Sequence, residues 1–109
     1  MGQLFYGPTE QAIEVDDALL AHVQVVAFTK LRRNESFVMS WQRSEGPGRE
    51  TVWVQPSIPL RFVCESEIPM DGRLLEELAQ AAASLRGMDL SPNVAPALTA
   101  MEGGARRAA

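Results

Sequence analysis

Residues 16 to 33, DDALLAHVQVVAFTKLRR, are apolar around most of a helical circumference, and that restricts the folds open to this chain. Leu19, Leu20, Val23, Val26, Ala27 and Leu31 recur at the 3.6-residue spacing of an amphipathic helix. Val25 and Phe28 widen the stripe until chiefly His22, Thr29 and Arg33 remain for water. The β-branched residues weaken intrinsic propensity, so packing must hold the helix. It therefore needs a sheet to lie against, and it has apolar surface left over for a partner. Asp16 or Asp17 caps the first turn and suits the positive end of the helix dipole. Lys30, Arg32 and Arg33 fall in the last turn, where cations meet orphan carbonyls, and Asn34 can leave through a left-handed conformation.

The sheet comes from runs of period two. QLFY places Leu4 and Tyr6 on one side and Phe5 on the other, and GPT is strong turn chemistry before QAIEV resumes the alternation. SFVMSWQ sets Phe37, Met39 and Trp41 on one face, and TVWV follows after a polar loop around Gly46-Pro47-Gly48. In QPSIP, Pro56 and Pro59 each lack an amide proton, so the next strand, LRFVC, belongs at a sheet edge or beyond a bend. Asp71 caps a second helix, GRLLEELAQAAASLRG, with Leu74, Leu75, Leu78, Ala81, Ala82 and Leu85 on its apolar stripe and Gly87 as its stop.

These runs predict an α+β fold of order β-β-α-β-β-β-α, an antiparallel sheet of about five strands with two helices packed on one face. Residues 1 to 90 read as a single compact domain, and residues 91 to 109 as a flexible Ala/Pro/Gly-rich tail with a short helical turn near residues 95 to 101.

Chemistry is sparse. Cys64 is the only cysteine, so an intrachain disulfide and a thiolate zinc cluster are both excluded, and its apolar surroundings predict a buried inert thiol. His22 is the only histidine and has no carboxylate at helical spacing, which predicts a surface or interface residue rather than a base. Glu14, Asp16 and Asp17 crowd together, but capping explains the aspartates without a metal. No phosphate loop is present. The expectation is no catalytic, cofactor or metal site. The start of the chain lacks the pattern of a secretory signal, Tyr6 replaces the serine or threonine of a myristoylation signal, and no apolar run is long enough for a bilayer; a cytoplasmic protein with no membrane partner is expected.

Charge is unevenly spread. The chain carries a net −4, yet residues 30 to 61 carry +3 while both flanks are acidic. Lys30, Arg32, Arg33, Arg43, Arg49 and Arg61, with Trp53 as a stacking side chain, form a candidate nucleic-acid surface. His22, Val25, Phe28 and Trp53 form a candidate interface for a homo-oligomer.

The segments MGQLFYG, DDALLAHVQVVAFTKLRRNESFVMSW and GRETVWVQPSIPLRFV look like those of a family of short, uncharacterised actinobacterial proteins, some labelled ATP-dependent DNA ligase. The resemblance spans about residues 1 to 86 and brings no established active site. Adenylation by such a ligase uses a lysine followed two residues later by Asp-Gly. Here Lys30 precedes Leu31, Arg32 and Arg33, and Asp71-Gly72 has Pro69 where the lysine belongs. The chain is also too short for a nucleotidyltransferase domain plus a closing domain. A stand-alone ligase is therefore not expected. A non-catalytic adaptor or regulatory domain that self-associates is the leading expectation, with a nucleic-acid-binding accessory protein as the alternative.

Overall fold

The alternation of Leu4 and Tyr6 against Phe5 builds β1 (Gly2–Tyr6), which pairs antiparallel with β2 (Ile13–Val15), Leu4 opposite Ile13. The structure, a computed structural model, describes residues 1–8, 11–43 and 45–91. The expected tail beyond residue 91 lies outside the described residues.

Asp16 is the N-cap of α1 (Asp17–Arg32), its carboxylate accepting from the Leu19 amide at 3.1 Å. The helix closes as a Schellman turn. The Glu35 amide donates to the Lys30 carbonyl, the Asn34 amide donates to the Leu31 carbonyl, and Asn34 adopts φ 61°. Asn34 thus takes the left-handed position usually filled by glycine, as the sequence predicts.

β3 (Phe37–Gln42) and β4 (Arg49–Val54) form the second antiparallel hairpin. Beyond β4 the chain departs from a single sheet. At residues 55 to 59 the two prolines interrupt the ladder, the Ile58 amide folds back to the Gln55 carbonyl, and β5 (Leu60–Val63) crosses away from β4 to the free side of β1. The strands therefore divide into two three-stranded sheets, ordered β2-β1-β5 and β4-β3-β6. β5 ends up on an edge, where prolines are tolerated.

Asp71 caps α2 (Gly72–Ala83) through the Arg73 amide at 3.0 Å. The helix ends at Ala83, before the expected stop at Gly87, and Leu85 is fully exposed rather than part of the apolar stripe. Gly87 has a different task. With φ +74° it turns the chain into β6 (Met88–Asp89), a strand the sequence pattern does not predict, which pairs parallel to β3 with Met88 opposite Met39. The sheet is accordingly mixed.

α1 lies against β1, α2 lies against β3 and β6, and the helices pack on each other. Leu4, Val15, Leu20, Val23, Met39, Val54, Met88 and Leu90 lose all contact with water in one continuous core.

His22 is at the helix junction and corrects the expectation of a surface residue: it is 2 % exposed. Nδ1 donates to the Ala18 carbonyl at 2.6 Å, and Nε2 accepts from the Asp71 amide at 2.8 Å. The second bond fixes the tautomer, because a backbone amide can only donate. The imidazole thereby ties the middle of α1 to the cap of α2, and it is not available to a partner chain.

Candidate functional site

Register determines which side chains share the outer face of the β4-β3-β6 sheet. Val38 lies opposite Trp53, Ser40 opposite Thr51, and Gln42 opposite Arg49. The alternate pairs, Phe37 with Val54, Met39 with Val52 and Trp41 with Glu50, point to the other side. Trp41 is buried there, and its Nε1 donates to Glu50 Oε1 at 2.9 Å. Trp53 is 58 % exposed, and Thr51 and Gln42 on the same face are also exposed, so no described helix covers this face. Alternation from Phe37 predicts the inward Trp41, and alternation within TVWV sets Trp53 on the face opposite Val52 and Val54.

Arg49 crosses the face as a strap. Its Nη2 donates to Ser40 Oγ at 2.7 Å and to Asp89 Oδ1 at 2.8 Å, and its Nη1 donates to Ser91 Oγ at 2.9 Å. One guanidinium therefore joins β4, β3 and β6, and its planar fork is what permits three acceptors at once. It also covers Ser40, which is why that residue is buried on an otherwise open face. Burial alone would push the Asp89 carboxyl up, but the bonds from Arg49 and Ser91 outweigh it and hold the carboxyl below its ordinary range.

The six central bases do not gather into one patch. Arg43 and Arg49 mark one end of the β3–β4 hairpin, where the Arg43 amide donates to the Gly48 carbonyl. Arg32 lines a hollow of about 320 Å³ with Phe28, Leu31 and Pro56. Pro56 lies just past the end of β4, so Arg32 is near the end of the hairpin opposite Arg49. Lys30 is held by Glu35 at 3.3 Å. Arg61 belongs to the other sheet, where its guanidinium lies 4.1 Å over the Phe5 ring, its cross-strand neighbour. Of the six, Arg49 alone shares the outer face with Trp53, while Arg43 alternates to the cleft side.

Of the candidate interface residues, Val25 and Phe28 are exposed on α1, and Phe28 meets Phe62 edge-on with ring centroids 5.4 Å apart. Trp53 lies on a separate surface. Cys64 is half-buried, less than expected. Burial, and after it the neighbouring Asp17 carboxylate, raise its pKa and keep the sulfur a thiol.

The N-terminal acids are occupied by backbone work. Asp17 accepts from the Glu65 amide at 3.0 Å, the Ser66 amide at 3.1 Å and Ser66 Oγ at 3.0 Å, which ties the start of α1 to the segment after β5. Among the described residues, no group of three or more His, Cys, Asp or Glu is arranged to hold a metal. Lys30 and the α2 cap at Asp71 likewise serve helix ends. The residues present are not those of a stand-alone ATP-dependent DNA ligase.

A cleft of about 1000 Å³ separates the two sheets at the end away from Trp53, lined by Tyr6, Ile13 and Glu14 on one side and Trp41, Arg43, Glu45, Glu50, Thr51 and Val52 on the other. Tyr6 Oη donates to the Trp53 carbonyl and bridges the sheets; burial pushes its pKa up.

The family model for a domain of unknown function, DUF7882, matches residues 1–93, which span every element described above. The chain belongs to that family. No curated protein and no solved structure matches it. No described helix of the domain is long and apolar enough to cross a membrane.

Proposed function

We propose that this DUF7882 domain is a non-catalytic accessory module that holds single-stranded nucleic acid on the outer face of its β4-β3-β6 sheet. One observation carries the reading: Trp53, 58 % exposed, stands on a sheet face that no described helix covers, with Arg49 on the same face and Arg32 near the far end of β4. A flat indole accepts any base, and guanidinium groups on either side follow a phosphate chain. From Arg49 to Trp53 the strand advances roughly 14 Å, which gives the contact a length of only a few nucleotides. A cytoplasmic location accords with this role.

Since the net charge is −4, affinity must come from this local line and must fade with salt. With about two phosphates neutralised, a fourfold rise in salt weakens binding roughly sevenfold. Anisotropy of a labelled thymidine oligonucleotide at two salt concentrations reads this directly. Trp53→Ala weakens binding about tenfold, the loss of one stacked base. Equal affinity for wild type and Trp53→Ala at low salt would refute the reading.

A second reading, an adaptor that self-associates, is favoured by the exposed Val25 and Phe28 on α1. Its partner is a second copy that covers this apolar strip and the hollow beside it. Light scattering across a wide concentration range then gives a dimer that Phe28→Asp converts to monomer. A wild-type chain that stays monomeric throughout excludes it.

A further inference from the structure

Apart from the Trp53 carbonyl, the backbone groups on the outer edge of β4 have no partner among the described residues, and two bonds establish the direction of that edge. The Ser40 carbonyl accepts from the Leu90 amide at 2.9 Å, so the backbone of Ser40 is turned toward β6. At the hairpin end, the Arg43 amide donates to the Gly48 carbonyl at 3.1 Å. Because bonded and non-bonded pairs alternate along an antiparallel ladder, Ser40–Thr51, Gln42–Arg49 and Val38–Trp53 are all pairs without mutual bonds. The amides and carbonyls of Arg49, Thr51 and Trp53 therefore point away from β3. Among the described residues, no strand pairs with β4 on that side. The Trp53 carbonyl is taken by Tyr6 Oη. Thr51 has no hydrogen bond on its amide or carbonyl among the described residues.

This edge opens into the cleft between the sheets, and β2, itself an edge strand, supplies Ile13 and Glu14 to the opposite wall. Among the described residues, Glu14, Glu45 and Glu50 line the cleft against one basic side chain, Arg43. The Met1 ammonium group, also at the cleft, is paired with Glu65 at 3.4 Å. Trp41, Val52 and Ile13 give the walls an apolar component.

We propose that the β4 edge takes an extended basic peptide of a protein partner as an added strand in this cleft. An extended segment would bond to Thr51 through its main chain, while alternate side chains meet the glutamates and the apolar wall. The acidic lining selects lysine or arginine at the polar positions. The proposal stands apart from nucleic-acid binding, which uses the outer face of the strand rather than its edge.

The test uses the full chain and two labelled hexapeptides, one alternating lysine with valine and one alternating glutamate with valine. The lysine peptide binds and the glutamate peptide does not. Thr51→Pro removes the outward amide while sparing the ladder to β3, and abolishes binding. Should that variant fail to fold, Glu14→Gln with Glu45→Gln decides, and affinity falls roughly tenfold. Trp53→Ala binds the peptide as wild type does, whatever it does to nucleic acid. Equal binding of both peptides, no binding of either, or wild-type affinity in the glutamine variant overturns the proposal. A concentration-dependent dimer that Thr51→Pro abolishes also overturns it, in favour of strand pairing between copies.

Discussion

His22→Ala lowers the thermal midpoint by roughly 10–20 °C, a loss of about 3 kcal/mol. The imidazole is 2 % exposed and occupies the junction of α1 and α2. Truncation removes its volume from a packed site and takes a partner from two backbone groups. The Ala18 carbonyl retains its place in the helix ladder, but the Asp71 amide loses the acceptor at 2.8 Å. An unsatisfied buried amide costs about 1–3 kcal/mol by itself. His22→Phe separates the two contributions, because it fills the space and leaves the amide unpaired; its loss is smaller than that of alanine but still above about 1 kcal/mol. Thermal unfolding of the three proteins reads both differences. A His22→Phe midpoint equal to wild type would show that the bond to Asp71 contributes nothing.

The second large effect is expected at Gly87. Its φ of +74° already disfavours any side chain, and a Cβ there would run into the Val38 carbonyl oxygen and its own β carbon. Left-handed strain alone is worth about 1–2 kcal/mol. The collision is with backbone, so relief requires β6 to move off β3. Met88 and Leu90, both fully buried, then leave the core, and Arg49 loses Asp89. Gly87→Ala therefore costs more than about 3 kcal/mol. Gly46 supplies the control. It has φ +73° in the hairpin tip but open space where a Cβ would stand, so Gly46→Ala costs only the strain. Chemical denaturation ranks the two. Equal losses would mean that the Val38 contact is not what selects glycine at position 87.

Much of the scaffold was legible because its signals are local. Asp16 and Asp71 announce helix starts, Asn34 announces an end, and alternation from Phe37 to Trp41 assigns faces to both tryptophans. The division into two sheets was only half visible. Pro56 and Pro59 say that a ladder stops, but not that β5 will resume beside β1. β6 could not be read at all, since two residues have no period and their partner lies far back in the chain. The fate of His22 was hidden for a related reason. Its acceptor nitrogen serves a backbone amide 49 residues away, and no side-chain pattern marks such a donor. Within the candidate site, Trp53 and the bases were named from composition and spacing, whereas the strap from Arg49 to Asp89 and Ser91 depends on β6. That strap reassigns Arg49, which is partly a structural clip. The scatter of Lys30 and Arg61 away from Trp53 likewise comes from the fold and not from their closeness in sequence.

Binding on the outer sheet face requires one particular indole to meet the ligand. Both tryptophan Nε1–H signals can be tracked in a nitrogen–proton correlation spectrum while a short thymidine oligonucleotide is added at low salt. The prediction is that the Trp53 indole and the amides of Val38 and Thr51 shift, while the Trp41 indole, bonded to Glu50 on the buried side, stays in place. If the Trp53 signal does not move while amides elsewhere do, or if nothing moves, the outer sheet face is not the binding surface.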